Sequence, residues 1–87
     1  MDELRLRAEG LVWRDIDGEL VILDVDRSMY LASNGTGTLL WEALAEGTTH
    51  EQLVQLLVTN AEVPVHIATG DVDAFLVQLR ERGVLDT

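Results

Sequence analysis

Two histidines, His50 and His66, are the only imidazoles in the sequence, and there is no cysteine. His50 stands beside Glu51 at the start of a helical run. A metal site there would need a second ligand at i+4, where Val54 sits, so His50 reads as a solvent-facing helix-start residue. His66 precedes Asp71 and Asp73, which could assemble a mixed His/carboxylate set, but such spacing is common by chance and a surface loop residue is the simpler account. Asp15-x-Asp17-Gly18 looks like a calcium-loop fragment until the sixth position, which should be glycine and is Leu20. Asp24 and Asp26 alternate at a strand end, where turn-forming side chains are the usual cause, and an acid/base pair would need a pocket that separates their pKa values. Asn34-Gly35-Thr36-Gly37 has the glycine content of a phosphate loop. However, the chain has no lysine for a P-loop, and Leu40 occupies the third glycine of the dinucleotide fingerprint. Ser28 and Ser33 have no histidine at a suggestive position. The reading is of a protein with no catalytic residue, no metal ligand and no cofactor: not an enzyme.

Composition narrows the partners. Sixteen Asp and Glu stand against six basic residues, all arginine, for a formal charge of −10. Phosphate-tracking nucleic-acid binders need a basic footprint, so nucleic acid is an improbable ligand. The first residues, Met1 to Arg7, are too charged for a signal peptide, and the longest apolar run, Leu20–Leu23, is far short of a membrane span. A cytoplasmic protein without membrane contact is expected. With 87 residues and 47% hydrophobic side chains, the chain is read as one folded domain spanning 1–87.

The elements that must position these residues divide into strands and then helices. Leu11–Arg14 and Glu19–Val25 are β-rich runs flanking Asp15-Ile16-Asp17-Gly18, whose Asp-Gly pair suits a tight hairpin turn. Met29–Ala32 follows the turn Asp26-Arg27-Ser28 and completes a three-stranded meander. The Asn34–Gly37 segment marks a change to helical period, with Asn34 or Thr36 as the N-cap. A first helix then runs to Gly47. Thr48 and Glu51 suggest a capping box for a second helix ending near Asn60. A third helix is expected to start between His66 and Asp71 and to stop at Gly83. Its Val72, Phe75, Leu76 and Leu79 share one arc, with Asp73 and Arg80 on one flank and Asp71 and Arg82 on the other. The fold class is α+β, a winged-helix-like βββααα order, with strands at about 11–33 and helices at about 35–83.

What remains for function is the sheet edge. Met29–Ala32 carries no interior Lys or Pro, and an edge without such protection invites an added strand unless another element covers it. An extended peptide would add backbone hydrogen bonds there and place side chains in a neighbouring apolar groove.

The run Leu23-Asp24-Val25-Asp26-Arg27-Ser28-Met29-Tyr30-x-x-x-Asn34-x-Thr36-Gly37-x-x-x-Trp41-Glu42-x-Leu44 resembles the PqqD-like domains, also called RiPP recognition elements. So do Thr49-x-Glu51-Gln52-Leu53-Val54 and Asp71-Val72-x-x-Phe75-Leu76-x-x-Leu79-x-x-x-Gly83-Val84-Leu85. The resemblance implies an adaptor that binds the leader of a ribosomally made precursor peptide as an extra strand, in the cleft between the third strand and the third helix. It implies peptide contacts from Ser28, Met29, Tyr30, Leu31 and Ala32 on the strand. On the helix it implies Asp71, Val72, Phe75, Leu76 and Leu79, with Arg80 as an ionic contact. On that reading Leu76→Asp would weaken binding and leave the fold. The coenzyme-biosynthesis members carry a proline-containing segment where this chain has Asp24–Arg27. The Tyr30 and Trp41 words look more like the leader-binding half of a split lasso-peptide system, whose partners are a separate cysteine-protease-type enzyme and a cyclase. The alternatives are a PqqD-like chaperone for another modifying enzyme, such as a radical enzyme, and a winged-helix DNA-binding regulator.

Overall fold

The computed structural model describes residues 3–86, the side chains of Met29, Ser33 and Asn34 excepted; Met1, Asp2 and Thr87 of the expected 1–87 domain lie outside it. Three strands, β1 (Leu11–Ile16), β2 (Glu19–Asp24) and β3 (Met29–Asn34), precede three helices, α1 (Thr36–Glu46), α2 (His50–Ala61) and α3 (Val65–Glu81). The sheet is antiparallel in the order β1-β2-β3, so the α+β βββααα arrangement read from the sequence is the one observed.

The β1–β2 turn is tighter than the sequence suggested. Asp17 (φ 54°) and Gly18 (φ 82°) form a two-residue loop with both residues left-handed, the geometry that matches strand twist, and the Asp15 carboxylate accepts from the Gly18 N–H at 3.0 Å. Asp15 and Ile16 are therefore strand residues, paired with Leu20 and Glu19. β3 likewise runs two residues beyond Ala32.

Helix starts differ from expectation in each case, for local reasons. Gly35, with φ 57°, is the N-cap of α1, and no side chain caps it; Asn34 still belongs to β3 and Thr36 is already helical. The capping box of α2 lies one residue later than the Thr48/Glu51 reading. Thr49 Oγ1 accepts from the Gln52 N–H, and Gln52 Oε1 accepts from the Thr49 N–H, both at 3.2 Å. Thr48 pairs its backbone with Leu4, and its hydroxyl donates to the same Gln52 Oε1 at 3.0 Å. α3 starts at Val65, immediately after Pro64, whose fixed φ and missing N–H suit a helix entry. Gly83 (φ 70°) follows the helix as expected.

One face of the sheet meets the helices. Leu20, Ile22 and Asp24 of β2 are buried, while Leu23 between them is exposed, which is the period-2 signature of a half-covered strand. Trp41, Leu44, Leu53 and Val72 fill the opposing layer. The N-terminal segment, read from sequence only as too charged for a signal peptide, contributes to this core. Leu4 and Leu6 are buried, and their backbones bridge to Thr48 and Leu85, closing the two chain ends over the helices. No helix among the described residues is long and apolar enough to cross a membrane.

Candidate functional site

β3 pairs with β2 on one side and, among the described residues, has no strand on the other, which makes it an edge of the sheet. Because N–H and C=O groups alternate sides along a strand, its six residues direct about six backbone groups away from β2. Beside this edge lies a groove of about 200 Å³. Leu20, Ile22 and Leu31 from the inner sheet face form one wall, with Ala32 at the edge. Phe75, Gln78, Leu79 and Arg82 on one flank of α3 form the other, and Gly37 and Trp41 of α1 close the floor. The Trp41 ring is 1% exposed and stands edge-on to Trp13, with centroids 5.7 Å apart and planes at 80°. Edge-to-face packing of this kind is a favoured aromatic arrangement and adds to the burial of Trp41. The lining is apolar but for Gln78 and Arg82, which sit where α3 meets solvent.

Two arginines, Arg7 and Arg27, tie the strands to the end of α3. Arg7 Nη2 donates to Asp24 Oδ1 at 2.7 Å, and its Nη1 donates to the Gly83 carbonyl at 2.8 Å. Arg27 Nη1 donates to the Arg82 carbonyl at 3.1 Å, and its backbone N–H reaches Asp24 Oδ1 at 3.3 Å. The end of β2, the β2–β3 turn and the C-terminal end of α3 are thereby tied together. Two cations also lie against the negative end of the helix dipole. The Arg7 hydrogen bond holds the Asp24 carboxyl below its ordinary value; burial works against this, and the Arg27 N–H and both guanidinium charges reinforce it.

The structure separates the residues named from sequence. Leu31, Ala32, Phe75 and Leu79 come together in the groove. Ser28 (φ 52°) and Met29 belong to the turn and start of the edge strand, and Met29 is paired with Asp24; its side chain lies outside the description. Tyr30, 63% exposed, is on the outer face of the sheet rather than in the groove. Val72 and Leu76, 0% and 3% exposed, are core residues, so Leu76→Asp would place a charge in the core and disrupt the fold it was meant to spare. Arg80 lies on the far flank of α3, in a hollow with Leu4, His50 and Asp73. Asp71 is exposed near the middle of the helix, two turns in from its start at Val65, and outside the groove lining. Of the two flanks of α3, the one beside β3 is the Asp71/Arg82 side, which carries Phe75 and Gln78.

Sequence reasoning missed Leu20, Ile22, Gly37, Trp41, Gln78 and Arg82. The signal for Gln78 and Arg82 was present, since both stand at i+3 or i+7 from Phe75. His50 was also underread. Its Nε2 lies 2.6 Å from Asp73 Oδ1, a pairing of α2 with α3 between two exposed side chains. His66 gathers no such partner, and no group of three or more His, Asp or Glu among the described residues could hold a metal.

Residues 19–85 match the family model of PqqD, coenzyme PQQ synthesis protein D. Among solved structures, the chain is similar to TbiB1 in complex with the TbiA(beta) leader peptide, with 24% identity and a TM-score of 0.87 over 94% of each chain. It is also similar to lasso peptide synthetase B1 complexed with the leader peptide, with 27% identity and a TM-score of 0.83 over 97% of this chain and 98% of that one. No curated protein matches it.

Proposed function

The chain belongs to the PqqD family, and on that premise we propose that it is a non-catalytic adaptor that binds the leader segment of a ribosomally made precursor peptide. The observation that carries this reading is the conjunction of an unpaired β3 edge with an apolar groove between that edge and the Phe75 flank of α3. An extended leader pairs with β3 as a fourth antiparallel strand, and its alternate side chains enter the groove. The similar lasso peptide synthetase B1, solved with a leader peptide, supports a lasso-peptide type of pathway. The partners on this reading are the precursor, a separate cysteine-protease-type enzyme and a cyclase, and the adaptor works in the cytoplasm as one domain without a cofactor.

The energetics suit a reversible carrier. Four to six backbone hydrogen bonds at about 0.5–1.5 kcal/mol each, with two or three apolar side chains at about 1.5–3 kcal/mol each, oppose an ordering cost of several kcal/mol. Dissociation constants from about micromolar to about tens of nanomolar follow. Backbone pairing reads no sequence, so discrimination falls to the groove. The peptide contacts proposed are the backbone of Ser28, Met29, Tyr30, Leu31 and Ala32, and the side chains of Leu31, Phe75, Leu79, Gln78 and Arg82. Fluorescence anisotropy with the leader encoded beside this chain tests the proposal. Binding no tighter than about 100 μM would overturn it.

A further inference from the structure

Six arginines are the only permanently cationic side chains of a chain with net charge −10, and they are unevenly placed. Arg5 pairs with Glu3, and Arg7 with the buried Asp24. Arg80 shares a hollow with Asp73 on the far flank of α3. Among the described residues Arg14, Arg27 and Arg82 form no salt bridge, and the last two meet at one end of the groove. Arg27 Nη1 donates to the Arg82 carbonyl at 3.1 Å, and Arg7 Nη1 donates to the Gly83 carbonyl at 2.8 Å. These two cations satisfy the end of α3, which leaves the Arg82 guanidinium without a role there. A side chain on Gly83 would strike the Arg27 guanidinium, so the glycine lets that group lie across the helix end. The Asp26 carboxylate, next to Arg27 in sequence, lies against Gly10 ahead of β1.

We propose that Arg82, backed by Arg27, selects leaders that carry an Asp or Glu on the C-terminal side of the apolar residue seated against Phe75; this rests on the leader-binding reading above. Strand polarity gives the side. A leader antiparallel to β3 enters beside Ala32 and leaves beside Met29, where the β2–β3 turn brings Arg27 to the end of α3. Helix rise gives the distance. Arg82 follows Phe75 by seven positions, about 10 Å along the axis, which is about three residues of extended peptide. The chemistry gives the class. Aspartate and glutamate are the anionic side chains of an unmodified ribosomal peptide, and the leader continues into the core peptide, so no terminal carboxylate is present. A guanidinium holds a carboxylate through two parallel hydrogen bonds, and the apolar wall of Leu79 and Phe75 screens that pair from water on one side. A Lys or Arg at the same leader position would be repelled by both cations, so the site rejects as well as attracts.

The test is anisotropy at low salt with the full chain and the leader encoded beside it. Alanine scanning of the leader locates its apolar anchor, and each leader Asp or Glu is changed in turn to its amide. Arg82→Gln should lower affinity about fivefold and Arg82→Lys about twofold, both losses shrinking as salt rises. One amide substitution, about two to four residues C-terminal to the anchor, should match the Arg82→Gln loss. Combining the two should add less than about twofold, because each removes the same contact. Arg14→Gln makes the same change in net charge away from the groove and should leave affinity within about 1.5-fold. Arg82 is exposed, so its variants keep the fold, which melting curves check. An Arg82→Gln chain that binds within about 1.5-fold of wild type would overturn the proposal. So would an equal loss against every leader variant, which would put Arg82 on the peptide backbone, or a leader with no Asp or Glu in that window. In those cases leader binding itself stands. A wild-type chain that binds no leader removes that reading and this one together.

Discussion

Phe75→Ala is the most direct probe of the groove. Phe75 is half-buried, packs against the core from the outside and faces β3 beside Gln78, Leu79 and Arg82. Removing its ring opens one wall of a groove of about 200 Å³. A leader side chain seated there would lose most of its burial on that side, a loss of about 1.5–2 kcal/mol. At about 1.4 kcal/mol per decade, leader affinity should fall by about 10- to 30-fold. Val77 is the internal control: it is on the same helix, about 200° round from Phe75, and 50% exposed. Anisotropy titrations of a labelled leader against wild type, Phe75→Ala and Val77→Ala give the comparison, with far-UV circular dichroism to confirm the fold. A folded Phe75→Ala protein with affinity within twofold of wild type would refute the placement of the groove, as would an equal loss in Val77→Ala.

The other predictions concern what holds the groove in shape. Asp24 has its pKa lowered on folding, so its contribution is complete above the ordinary carboxylate value of 3.8 and is lost as pH falls through the depressed folded value. Melting temperature should therefore drop on acidification in that window, and Asp24→Asn should lower it at neutral pH while flattening the acid limb. An unchanged acid limb would show that Asp24 is not the group responsible. Thr49→Ala removes the hydroxyl half of the α2 capping box and should cost about 1 kcal/mol in urea denaturation, with leader binding retained. Leu76→Asp should yield a chain without cooperative thermal unfolding, because the 3% exposed side chain has no water to solvate a carboxylate; a cooperative melt near that of wild type would contradict its place in the core.

Much of the architecture was legible in local chemistry. Asp17-Gly18 specifies a two-residue turn because both positions need positive φ. The alternating burial along Glu19–Asp24 was not legible, because Leu20–Leu23 is apolar at every position and only the helices covering one face set Leu20 and Ile22 apart from Leu23. Helix starts were less legible because several residues in each junction can cap. Thr48 and Thr49 offer the same hydroxyl, and the choice fell to Thr49 once Leu4 paired with the Thr48 backbone. Asp24 read as a turn residue because nothing near it in sequence marks it as buried. Arg7 and Arg27, which complete its surroundings, also reach the carbonyls of Gly83 and Arg82.

The sequence by itself determined the strand-then-helix order, the apolar arc of α3, and the absence of thiol and lysine chemistry. Each of these depends on residue type or on spacing within a turn or two. Tertiary structure alone decided which members of that arc line a groove and which are core. Phe75 and Leu76 are adjacent and equally apolar, yet 100° of helical rotation sends one toward β3 and the other toward the core and the α2 side. It also moved Tyr30 to the opposite face from Leu31, since neighbouring strand residues point to opposite sides of the sheet. The peptide edge could be read along the chain; the cavity beside it required β2, α1 and α3 to meet.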